Sequence, residues 1–176
     1  MSGHNKWTQI KRQKGKTDAE KSKIFGKYAK LITEAAKKAK SNLNDPSLKA
    51  AIEKAKSFNM PSDNIDRAIK KATEVGGAVM EGIVYEAYGP GGCAIMIDAL
   101  TSNRNKAAQE IKHILVEYGF ELANPGSAAW AFQKTHAGWT PTTTIPLSDT
   151  DLQSLAALVE SLEDNDEVQE VFTNAE

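Results

Sequence analysis

The run Gly82-Ile83-Val84-Tyr85-Glu86-Ala87-Tyr88-Gly89-Pro90-Gly91-Gly92-Cys93-Ala94-Ile95-Met96-Ile97-Asp98-Ala99-Leu100 decides the fold. β-Branched, aromatic and other apolar residues fill Gly82–Tyr88 and Gly92–Leu100, and the Gly89-Pro90-Gly91-Gly92 segment between them is a hairpin signal. Two antiparallel strands joined by a tight turn are therefore the nucleus from which the rest of the chain is read.

Downstream, Asn103 can cap a helix in which Ala107, Ile111, Ile114, Leu115 and Tyr118 recur with helical period, ending at Gly119. Short extended runs follow at Phe120–Ala123 and Ala128–Phe132. Beyond the loop around His136-Ala137-Gly138, Thr142–Leu147 reads as a strand. Ser148 or Asp149 then caps a helix carrying Leu152, Leu155, Leu158, Val159 and Leu162, and Val168–Thr173 gives a last strand. The pattern predicts an α+β domain over residues 78–176: an α/β-sandwich-like arrangement of a mainly antiparallel sheet with two helices on one face.

Upstream the character changes at Gly76-Gly77. Thr17-Asp18-Ala19-Glu20 is a capping-box signature, and Ile24, Tyr28, Leu31, Ile32, Ala35 and Ala39 keep a helical stripe behind it. Asp45-Pro46 is a second start signal, with Leu48, Ile52 and Ala55 as the apolar face. Asn59-Met60-Pro61-Ser62 breaks the chain, and Ile65, Ala68, Ile69 and Ala72 define a third, shorter helix. Residues 1–75 thus read as a three-helix domain preceded by an arm. The first sixteen residues lack helical periodicity and are expected to order on meeting a partner.

The net charge of −1 over 176 residues hides a division. Residues 1–71 carry 18 Lys and Arg against 7 Asp and Glu; residues 72–176 carry 4 against 16. A basic module for a polyanion joined to an acidic body accounts for this, and so do two solvated faces that merely balance. The single cysteine excludes an internal disulfide framework, no apolar run approaches the ~20 residues of a membrane span, and the first residues contain no signal-like apolar segment. A cytoplasmic protein without membrane contact is expected.

A catalytic constellation is hard to assemble. His4, His113 and His136 have no metal-ligand spacing among themselves or with Cys93, and Cys93 sits in an apolar run where a thiol packs as a small hydrophobe. Tyr88–Gly92 lacks the Lys-Ser/Thr of a phosphate loop, and Pro90 removes a backbone donor. Glu163-Asp164-Asn165-Asp166-Glu167 lacks the Gly and Glu of a calcium loop and reads as an acidic helix–strand turn. No enzyme activity, metal, cofactor or small-molecule substrate is expected. What remains is the basic region: Lys6, Lys11, Arg12, Lys14 and Lys16 in the arm, with Lys23, Lys27 and Lys30 off the apolar stripe of the first helix. Trp7 among them either stacks on an unpaired base or packs back on the protein. Lysine-rich binding favours phosphate contact over base reading and leaves DNA and RNA open.

Ser2-Gly3-His4-Asn5-Lys6-Trp7 with Gln9-Ile10-Lys11 resembles the opening signature of the YebC family. Further blocks follow in order: Lys16-Thr17-Asp18 with Ile24-Phe25, Ala51–Ala55 with Asn59-Met60-Pro61, Asp63-Asn64-Ile65 with Arg67–Lys71, Tyr85-Glu86, Tyr88–Gly92, Thr101 with Asn103-Arg104-Asn105, Pro125-Gly126-Ser127, and Ala129-Trp130 with Phe132. The resemblance implies a helical N-terminal domain followed by two α/β domains, and a non-enzymatic role. That role is a DNA-binding regulator of transcription or a ribosome-associated translation factor that reaches ribosomal RNA and aids synthesis of proline-rich stretches. It also implies that His4, Asn5, Lys6, Trp7, Lys11 and Arg12 contact nucleic acid. Arg104 and Asn105 form a second patch or only begin a helix. Family members are usually longer, and the segment near residues 134–141 is where an inserted third domain would be missing.

Overall fold

The computed structural model describes residues 6–13, 17–74, 76–136 and 138–176, without the side chains of Arg12 and Gln13. The chain divides into two compact units, one of residues 16–80 and the other of residues 81–176 together with the N-terminal segment.

The first unit is built from helices α2 (Asp18–Lys38), α3 (Pro46–Ser57) and α4 (Ser62–Lys71). Thr17 caps α2 as its spacing to Glu20 requires. The Glu20 amide donates to the Thr17 hydroxyl at 3.2 Å, and the Glu20 carboxylate accepts from the Thr17 amide at 2.7 Å. Asp45 caps α3 by accepting from the amides of Ser47 and Leu48, with Pro46 in the first turn. Ile32, Ala36, Leu48, Ala55, Ile65 and Ala68 meet in one core. The Thr33 hydroxyl donates to the Ala68 carbonyl at 2.9 Å and ties α2 to α4.

The second unit contains the hairpin of β1 (Glu81–Tyr88) and β2 (Ala94–Thr101), in register from Glu81 opposite Thr101 to Tyr88 opposite Ala94. Gly91 stands at φ +67° in the turn, a conformation that explains a glycine there. Helix α5 (Arg104–Glu117), β3 (Leu122–Ala123), a short hairpin of β4 (Phe132–Thr135) and β5 (Gly138–Pro141), helix α6 (Asp149–Asp164) and β6 (Val168–Thr173) complete it. The four-stranded sheet has the order β3-β1-β2-β6 with every neighbouring pair antiparallel, as the fold reading expected.

Strand β2 is apolar from Ala94 to Leu100 except at Asp98, because both its faces are covered. Ile95, Ile97 and Ala99 pack with Ile111 and Leu115 of α5 and with Leu152, Leu155, Leu158 and Leu162 of α6. On the opposite face Ala94 and Met96 pack with Ala131, Phe132 and Trp139 of the β4–β5 region. The Trp139 indole donates to the Asp98 carboxylate at 3.0 Å, which gives the one polar residue in the middle of β2 a partner.

Three expectations are corrected. The arm is not irregular throughout, since Lys6–Gln13 form helix α1, which belongs with the α+β unit rather than with the three helices. Trp7 and Ile10, three residues apart, share one side of α1 and pack into the core beside α6, so tertiary contact supplies what periodicity could not. Thr142–Leu147 is not a strand. Pro141 precedes it and Pro146 lies within it, neither able to donate to a ladder, and only Ile145 bridges, in parallel, to Ala175 beyond the end of β6. Ala128–Phe132 is not extended either; a single 3₁₀ turn at Ala129–Ala131 leads into β4.

Candidate nucleic-acid interface

The residues singled out by charge fall on three separate elements. On α1 the Lys6 ammonium lies 3.2 Å from the Asp149 carboxylate, and the Lys11 ammonium lies 3.3 Å from Glu163. These acids stand near opposite ends of α6, so the short basic helix lies along the acidic one. Lys11 also sits 5.8 Å from the centre of the Trp7 ring. Trp7 itself is only 7% exposed, packed with the α6 leucines, so its ring serves the core in this conformation rather than standing open to a base. Both ion pairs are substantially exposed and each contributes about 0–1 kcal/mol, whereas burying an aromatic ring contributes ~2–3 kcal/mol. Apolar packing, not charge, holds α1 in place. His4, Asn5, Lys14 and Lys16, and the side chain of Arg12, lie outside the described residues.

On α2, Lys23, Lys27 and Lys30 are spaced four and three residues apart and so form one stripe, each half-buried. Lys37 pairs with the buried Glu34 at 2.9 Å. The outer surfaces of the other helices add Lys49 and Lys56 on α3 and Arg67, Lys70 and Lys71 on α4, all exposed.

At the start of α5, Asn103 caps by accepting from the Lys106 amide at 3.1 Å, and Thr101 closes the preceding turn. Arg104 and Asn105 occupy the first helical positions. Arg104 pairs with Glu81 at 3.3 Å, and its carbonyl accepts from the Tyr85 hydroxyl.

Chemistry of other kinds finds little purchase. Among the described residues no group of three or more His, Cys, Asp or Glu side chains is placed to hold a metal. Cys93 is fully buried, and burial pushes its thiol above the ordinary value. The turn at Gly91 is closed to phosphate: Leu147 and the Asp151 carboxylate press against it, and Asp151 would repel an anion. The acidic segment after α6 is a stitched turn, in which Asn165 accepts from the Glu167 amide and donates to Glu110, while Lys106 pairs with Glu167. No helix of the described residues is long and apolar enough to cross a membrane.

The model of the TACO1/YebC N-terminal domain matches residues 5–75, and that of the TACO1/YebC second and third domain matches residues 80–137 and 133–175. The chain belongs to the TACO1/YebC family. A probable transcriptional regulatory protein of Fervidobacterium nodosum is 36% identical over 235 positions, covering 99% of this chain and 93% of the relative. Because that alignment is longer than the 176 residues here, part of the relative has no counterpart in this chain. A probable transcriptional regulatory protein of Thermoanaerobacter pseudethanolicus is 52% identical over 136 residues, which cover 76% of this chain and 55% of the relative. Among solved structures, a conserved hypothetical protein, Aq1575 from Aquifex aeolicus, superimposes with a TM-score of 0.79 at 29% identity, covering 97% of this chain and 96% of that one. The junction between the two segments matched to the TACO1/YebC second and third domain falls on the β4–β5 hairpin.

Proposed function

We propose that this chain is a non-enzymatic, nucleic-acid-binding regulator of gene expression acting in the cytoplasm, with DNA as its target. The names of its relatives, which call those proteins probable transcriptional regulators, support the reading. The observation that carries it is the charge of the helical unit. Residues 16–80 hold 14 Lys and Arg against 8 Asp and Glu, a net of +6, on three helices whose outer surfaces carry lysine. Phosphate contacts come from the Lys23, Lys27 and Lys30 stripe and from Lys14 and Lys16. His4, Asn5, Lys6, Lys11 and Arg12 join them, with Trp7 as the anchor of helix α1, and Arg104 and Asn105 form a second patch.

The test is binding of labelled duplex DNA at 50 and 200 mM salt, with and without excess RNA. If six to ten phosphates are neutralised, affinity falls by roughly 10³–10⁵ across that range. Replacing Lys23, Lys27 and Lys30 together by Gln lowers the salt slope by about 2–3. Absence of binding at 50 mM salt refutes the proposal. Complete loss of DNA binding to competing RNA, together with cosedimentation with ribosomes, transfers the activity to translation.

We also infer that the third domain of longer relatives departs from the turn of the β4–β5 hairpin. Residues 132–135 and 138–141 then close the second domain whether or not the insertion is present. This accounts for two overlapping matched segments meeting at residues 133–137.

A further inference from the structure

With Trp7 taken into the core, an aromatic contact to a base must come from elsewhere, and the helical unit supplies one. Lys21, Ile24 and Phe25 of α2 face Ser57 at the end of α3 and the residues that follow it, Phe58 and Asn59, across a groove of about 470 Å³. That volume lies within the range of small-molecule sites and suits one nucleotide. Phe58 is 41% exposed, and its ring is held by Tyr28, with centroids 5.1 Å apart and planes tilted by 33°. A fixed, half-open aromatic face is what stacking requires, because little further side-chain freedom is lost on binding.

The polar groups around the ring are complementary to a nucleotide. Asn59 stands in the left-handed backbone region at φ +63°, a conformation Asn tolerates better than most residues. Its side chain is exposed, and among the described residues its carboxamide makes no hydrogen bond. A carboxamide offers a donor and an acceptor together, the pair needed to read a base edge. Lys21, likewise exposed, makes no ion pair among the described residues and stands at the groove's rim. The unit as a whole is positive, which draws in a polyanion before the groove is filled.

We propose that this groove binds an unpaired nucleotide of a single-stranded nucleic acid: the base stacks on Phe58 against Phe25 and Ile24, Asn59 reads its edge, and Lys21 meets the adjacent phosphate. The proposal rests on the nucleic-acid reading above and adds to it a preference for unstacked bases. A base inside a duplex cannot reach Phe58, so duplex binding uses the lysines alone.

The experiment compares a labelled twelve-nucleotide single strand without self-complementarity and the corresponding blunt duplex, by fluorescence anisotropy on the full chain. Phe58→Ala is expected to weaken single-strand binding roughly 5- to 100-fold and to leave duplex binding within about twofold. Phe58→Trp retains single-strand binding, and Lys21→Gln reduces the single-strand salt slope by about 1. Asn59→Gly, which relieves the left-handed backbone and so preserves the fold, narrows the differences in affinity among homopolymers. It carries the test should Phe58→Ala lower the melting temperature. Equal loss on both probes, or no loss on either with the fold intact, overturns the groove while leaving the proposed function standing. A wild-type chain that binds neither probe removes the proposed function itself. A change in oligomeric state with Phe58→Ala and unaltered oligonucleotide binding overturns the nucleotide assignment in favour of a second copy of the chain.

Discussion

The Lys11 ammonium of α1 lies 3.3 Å from the Glu163 carboxylate of α6, in the same way that Lys6 lies 3.2 Å from Asp149. The basic segment that the charge pattern assigns to nucleic acid is thus engaged by acids of its own chain. Phosphates must compete with these carboxylates for the same lysines. Neutralising the acids by Asp149→Asn together with Glu163→Gln is expected to raise affinity for duplex DNA, by about 3- to 10-fold at low salt. The gain shrinks as salt screens both competitors. Unchanged affinity in a titration at 50 mM salt shows that Lys6 and Lys11 do not contribute to binding.

Trp7 links the same helix to the core. Its ring is buried in the core to which α6 contributes Leu152, Leu155 and Leu158, so Trp7→Ala leaves a cavity and is expected to cost the α+β unit about 3–5 kcal/mol. Lys6→Gln with Lys11→Gln, which removes only exposed pairs, costs under about 1 kcal/mol each. Denaturant unfolding of the variants followed by near-ultraviolet circular dichroism separates the two. Equal, small effects contradict the packing.

What could be read from the chain was what local chemistry settles. Thr17 with Glu20, Asp45 with Pro46, and Asn103 mark helix starts because each satisfies orphan amides within its own turn. The β1–β2 hairpin was legible because its turn and its two apolar runs agree. Helix α1 was not, since eight residues with two packed hydrophobes form a helix only when α6 receives them. Thr142–Leu147 misled through its run of β-branched residues, Thr142-Thr143-Thr144-Ile145, which Pro146 within the segment interrupts. The basic residues of the interface were visible as charge, but their distribution over α1, α2 and α5 was not. Asn59 opens, and Phe58 just precedes, what reads only as a helix break, and their groove with Phe25 depends on the packing of α3 against α2.

The β4–β5 turn is expected to accept new chain. A ten-residue Gly/Ser insertion between His136 and Ala137 lengthens a loop whose closure cost grows only slowly, so stability falls by about 1.5 kcal/mol. Gly138→Ala, two residues away, behaves differently. Gly138 holds φ +109°, and a methyl group there would come within 2.4 Å of the Phe172 ring. A loss of ~1–3 kcal/mol is expected from backbone strain and displaced packing. Thermal melts of both variants decide. An insertion that unfolds the α+β unit removes the argument that a domain can depart from this turn.

Stability should decline on the alkaline side. The Cys93 thiol is raised above its ordinary value of 9.0 chiefly by burial, and Tyr85 above 10.0 by burial, with Arg104 opposing. Lys106 is raised above 10.5 through its hydrogen bond and charge pairing with Glu167. In all three cases the folded chain holds its proton more tightly than the unfolded chain does. Their stabilisation is therefore complete below those ordinary values and is lost as pH rises through and above them towards the folded ones. Urea midpoints measured at pH 7.5, 9 and 10.5 should fall in that order, with Cys93→Ala removing the earliest part of the decline. The same burial keeps the thiol from reacting with a thiol reagent at pH 8 until the α+β unit unfolds, so rapid labelling of the native chain contradicts the placement of Cys93.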